Sequence, residues 1–95
     1  MIAPSTIAAI RDTATATGRD AARDLVMECG ADPIALAAID DVRATRVIQV
    51  SPSRDIDDIL YQVDEYHAGM RLYTTAAIEA LREEARRIAS SPRPS

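Results

Sequence analysis

Four carboxylates and a tyrosine crowd one short stretch of this chain: Asp57, Asp58, Tyr61, Asp64 and Glu65. The stretch follows the break Ser51-Pro52-Ser53 and reads as one helix capped by Ser53. On that helix the five residues share a face, opposite an apolar stripe of Ile56, Ile59, Leu60, Val63 and either Tyr66 or His67. A tyrosine framed by carboxylates suits recognition of a protein with a basic surface. The ring offers rigid contact area, and the carboxylates pair with arginines of a partner. An ordinary solvated helix face has the same composition, so the pattern names a candidate partner-binding surface and nothing narrower.

Other chemistry finds less support. Asp55, Asp57 and Asp58 could converge on a metal ion only from a loop, because residues i and i+2 of a helix point apart. The central glycine and distal glutamate of a Ca²⁺ loop are missing as well. Cys29 and His67, the only cysteine and the only histidine, would make a nucleophile–base pair only if the fold brought them together. Neither is accompanied by a glycine loop to hold an oxyanion. Each also has a structural reading: Cys29 falls on a buried apolar stripe, and His67 falls at a helix C-terminus, where positive charge is favourable. There is no phosphate-cradling glycine loop, HExxH or CxxC. The expectation is a protein that is not an enzyme and uses no metal and no cofactor.

The 95 residues suffice for one domain. With neither Phe nor Trp and only three Tyr, the core must come from Ile, Leu, Val, Met and many Ala. Alanine faces pack closely but bury little area at roughly 25 cal/mol per Å². A second copy covering a further apolar face would therefore add stability, and a homo-oligomer is a reasonable expectation. All eleven basic residues are Arg, and the net charge of −4 argues against a broad electrostatic grip on nucleic acid. The single cysteine requires no oxidising compartment. The opening Met1-Ile2-Ala3-Pro4-Ser5 lacks the features of a secretion signal, and the longest uncharged apolar run, Pro33 to Ile39, is too short to span a bilayer. A cytoplasmic location with no membrane association is expected.

The elements that must position the acidic face are mainly helical. Ser5 or Thr6 offers an N-cap, and Ile7, Ile10, Ala14, Gly18, Ala21, Leu25 and Cys29 recur near the helical period. They predict a helix over 6–29, with a break at Gly18 as the alternative because Thr13, Thr15 and Thr17 weaken helix propensity there. Gly30 reads as its stop, and Asp32-Pro33 as the cap and first residue of a second helix holding Ile34, Leu36, Ala38, Ile39 and Val42. Gly69 reads as the end of the third helix. Thr74 or Thr75 starts the last, with Ile78, Leu81, Ala85 and Ile88 inward and Glu83–Arg87 paired outside. The fold class expected is an all-α bundle of four or five helices over residues 1–89, with a disordered tail at 90–95. Short strands are admitted near 46–50, where β-branched residues gather, and near 70–74.

Three functional readings result, the last a purely structural or assembly subunit with a large apolar self-interface and no separate ligand. In the first, the chain is an interaction module that meets a protein partner through the acidic face. In size and charge it is similar to small acidic inhibitors from phages and other mobile elements, such as anti-CRISPR proteins. That resemblance implies a target among nucleic-acid-binding complexes whose basic channel it would occupy. In the second, the chain is a DNA-binding regulator with a helix-turn-helix or winged-helix core, which would need Arg43, Arg46, Arg54 and Arg71 on one surface. Gly69-Met70-Arg71-Leu72-Tyr73-Thr74, followed by Ile78, Leu81 and Ile88, resembles the segment of MerR-type regulators in which a glycine turn leads from the wing into a helix. The resemblance implies Arg71 near a phosphate and Tyr73 packed beneath the wing. It covers about twenty residues and departs from the family just upstream, where a recognition helix should be basic and Asp55 to Glu65 is strongly acidic.

Overall fold

Two long helices, α1 (Pro4–Met27) and α5 (Tyr66–Ser90), form the spine of the computed structural model, which describes residues 2–50, 56–61 and 63–91. They run parallel. Ile10 lies beside Gly69, Thr17 accepts a hydrogen bond from Tyr73, Gly18 abuts Ala77 to Leu81, and Arg23 meets Glu84. A parallel pair needs a long return connection, and three shorter helices carry it: α2 (Pro33–Ala37), α3 (Asp41–Val50) and α4 (Ile56–Tyr61). This is the all-α architecture expected, with five helices among the described residues. The Cα radius of gyration is 14.0 Å, where a rounder chain of this length gives roughly 12 Å, so the long helix pair sets an elongated shape.

The seam between α1 and α5 is built from residues four apart, most of them small. Ile10, Ala14, Gly18 and Ala22 on α1 face Gly69, Tyr73, Ala77, Leu81 and Ala85 on α5, and all are buried. Rows at i, i+4 on both helices let ridges of one lie in grooves of the other. Gly18 sits where the backbones come closest, which is why α1 continues unbroken through it despite its poor propensity. Thr17, buried beside it, returns its hydroxyl proton to the Thr13 carbonyl (3.0 Å) and accepts from Tyr73 Oη (3.1 Å). Among the described residues, seven of the fifteen buried hydrophobic ones are alanines, and Ile10, Leu60 and Leu81 are the largest side chains that are fully buried.

Several boundaries differ from those expected. α1 begins at Pro4, with Ala3 rather than Ser5 or Thr6 at the N-cap, because the fixed φ of proline suits a first turn. Gly30 does end this segment: at φ +71° it lets Ala31 N–H return to the Leu25 carbonyl (2.9 Å). Cys29, placed by periodicity on the buried stripe, lies beyond the last turn and is exposed. Asp32 caps α2 by accepting from Ile34 N–H (3.0 Å). The second helix then divides at residues 38–40. Asp40 restarts it as α3 by accepting from Arg43 N–H (3.1 Å), and Val42 belongs to that new helix.

The admitted strands at 46–50 and 70–74 are helical, in α3 and α5 respectively. The segment resembling a wing end is likewise continuous helix, with no strand among the described residues, so the MerR-type likeness does not extend to structure. Gly69 does not stop a helix. It lies in the first turn of α5, where Leu60 packs so near that a Cβ would fall 2.5 Å from Leu60 Cδ2. The expected third helix therefore ends early, at Tyr61, and its proposed cap Ser53 lies outside the described residues. His67 stands at the start of α5 rather than at a helix C-terminus. Ser90 is the last residue of α5 and Ser91 its C-cap, and 92–95 lie outside the described residues.

Candidate protein-interaction surface

α4 and the turn into α5 stand at the end of the spine that holds the N-terminus of α1. Ile56 and Leu60 are the buried residues of α4, with Ile59 half-buried beside them. Ile59 and Asp58 adjoin Ser5, Thr6 and Ala9 of α1. A six-residue helix anchored by Ile56 and Leu60 must turn its remaining positions outward, and Asp57, Asp58 and Tyr61 are exposed. Tyr61 is 92 % exposed, the largest exposure among the big hydrophobic side chains described.

Asp64 and Glu65 are exposed too, but they lie in the connector rather than on the same helix. The five residues are thus gathered at one end of the molecule by two elements, a short helix and a turn. Among the described residues, the side chains of Asp57, Asp58 and Asp64 take part in no ion pair or hydrogen bond. Asp57 and Asp58 occupy the first turn of α4, where the helix dipole favours negative charge.

Tyr66 and His67, one or the other of which periodicity assigns to the apolar face, are both exposed and extend the same end. Their rings meet edge to face with centroids 5.9 Å apart and planes at 80°. The run Asp64-Glu65-Tyr66-His67 turns outward because the helix ends at Tyr61 and does not continue to Gly69.

The chain matches no known protein family, no curated protein and no solved structure. The surface must therefore be read from its own chemistry.

The remaining candidates do not assemble into sites. Cys29 follows the C-terminus of α1 and His67 opens α5, so the parallel spine sets them at opposite ends, more than about 20 Å apart by helix rise. No group of three His, Cys, Asp or Glu among the described residues is placed to hold a metal ion, and Asp55 lies outside those residues. Arg43 and Arg46 are exposed on α3 and Arg71 on α5, while Arg54 lies outside the described residues. No described helix is long and apolar enough to cross a membrane.

One polar cluster went unread in the sequence. Glu84, only 4 % exposed, sits on the α1–α5 seam between two arginines. It accepts from Arg87 Nε and Arg87 Nη2 (2.9 Å) on its own helix and from Arg23 Nε (2.8 Å) across the seam. The Arg87 hydrogen bonds hold its pKa down to about 2, against the opposing effect of burial, and the Arg23 bond adds to them. The expected Glu83–Arg87 pair is replaced by this one at i, i+3 spacing. Its place inside the helix packing makes it a clasp between α1 and α5.

Proposed function

We propose that this chain is a non-enzymatic interaction module that binds a protein partner with a basic surface through its acidic end. The observation that carries the reading is Tyr61, 92 % exposed beside Asp57 and Asp58, carboxylates that no described residue neutralises. A large exposed ring is costly in water and rewarding in an interface. Here it is surrounded by charges that would steer an arginine-rich partner and fix its register. Asp64 and Glu65 complete the surface from the connector. The net charge of −4 supports a target among nucleic-acid-binding complexes, whose basic channels an acidic protein can occupy, as inhibitors of the anti-CRISPR kind from phages do. The cytoplasm is where such a target would be met.

Affinity capture of the tagged chain from its host lysate, with and without nuclease, tests this reading. A stoichiometric protein that survives digestion is the expected result. Against that partner, the variant D57R/D58R/D64R/E65R should lose about a hundredfold in affinity or more while keeping its helical circular dichroism. Unchanged affinity in the folded variant sinks the proposed face. Recovery of DNA, with proteins lost on digestion, replaces it with a DNA-binding regulator using Arg43, Arg46 and Arg71.

A further inference from the structure

We propose that α3 is a releasable strap, opening from the α1–α5 spine as a unit, and that Arg82 is the latch that holds it closed. Local preference and tertiary placement disagree in this helix. Five of its ten residues, Val42, Thr45, Val47, Ile48 and Val50, are β-branched and disfavour helix. A ten-residue helix is also too short to persist on its own. Its hold on the spine is narrow: Ala44 and Ile48 are buried and Val47 packs half-buried beside them, whereas Val42 and Val50 are 65 % and 84 % exposed.

What fixes its entry is Arg82 of α5, whose side chain is itself only 26 % exposed. Its Nη2 donates to the Ile39 carbonyl (2.6 Å) and to Asp41 Oδ1 (2.8 Å), and its Nε donates to the same carbonyl (3.2 Å). One guanidinium thus binds the connector before α3 and the first residue of α3 together. The spine does not depend on this contact. It has the Gly18 crossing, the Tyr73–Thr17 bond and the Glu84 clasp, none of which involves α3. Release would lift Ile48 away from Met70 and Tyr73, with which it lines one shallow cavity, and uncover that apolar seat while α1 and α5 stay paired.

Native-state hydrogen exchange on the full chain tests the strap. Amides of residues 45–49 should exchange faster than those of the seam, residues 14–22 and 77–85. R82A should speed exchange at 45–49 roughly ten- to hundredfold, the loss expected for hydrogen bonds from a charged donor, and leave the seam unchanged. V42A/V50A replaces two exposed β-branched residues with the best helix former and should slow it roughly fivefold. Exchange at 45–49 that only keeps pace with the seam overturns the proposal, as does R82A accelerating all helices equally. If R82A fails to fold, V42A/V50A decides. Selective slowing at 45–49 supports the strap, and an unchanged ratio to the seam refutes it.

Discussion

A methyl group added at Gly18 would sit 2.2 Å from the carbonyl oxygen of Ala77, 2.8 Å from Ala80 Cβ and 2.9 Å from the Leu81 nitrogen. Two of these three are backbone atoms of the facing helix, so relief requires α1 and α5 to move apart along the whole seam. Gly69 looks similar on paper, since its added methyl would meet Leu60 Cδ2 at 2.5 Å. That atom, however, is the tip of a rotatable side chain, and the next neighbours are at 3.8 and 3.9 Å. Alanine gains about 1 kcal/mol over glycine in a helix interior, which offsets a rotamer shift but not a helix separation. G18A should therefore cost about 3 kcal/mol or more, and G69A should stay within about 1 kcal/mol of the parent. Urea unfolding with unchanged slope measures both. Equal losses would show that the crossing at Gly18 is not what sets the α1–α5 distance.

At the scale of elements, what could be read in the chain was whatever is encoded locally. Asp32-Pro33 and Gly30 carry their instructions in their own backbone preferences, and both act as those preferences dictate. The inward positions Ile78, Leu81 and Ala85 follow from periodicity alone. Gly69 is the opposite case. Nothing nearby tells a stop glycine from a packing glycine, because the deciding atom is Leu60, nine residues earlier on another helix. That one ambiguity moved the start of α5 by two turns and joined Asp64 and Glu65 to a helix they do not belong to. All five acidic-face residues nonetheless face water in either arrangement. The residues of α3 stay open between strand and helix for a different reason. Its β-branched residues argue for a strand, and tertiary contacts, among them those of Arg82, the Asp40 cap and the buried Ala44 and Ile48, hold it helical. Glu84 carries no local sign of its burial, which depends on a seam that alanines and a glycine make unusually close.

For the whole molecule, the position of Glu84 sets how the fold responds to acid. The carboxylate ties α1 to α5 through Arg23 and Arg87, and its pKa drops from an ordinary 4.5 to about 2 in the folded chain. A depressed folded pKa means that the unfolded chain takes up the proton first. The clasp therefore contributes its full stability above about pH 4.5, and the contribution disappears as pH falls from there toward 2. The amount is on the order of 1–3 kcal/mol, held below the full linkage value because Arg23 and Arg87 are 52 % and 64 % exposed and water screens them. The parent is compared with E84Q, which keeps the side-chain shape and loses the charge. Chemical denaturation at intervals between pH 7 and pH 2 should show E84Q less stable at neutral pH, with the gap narrowing below pH 4.5. A gap that stays constant with pH would mean that Glu84 holds the helices by shape and hydrogen bonding alone. A gap that closes would identify its charge as the link between the two long helices.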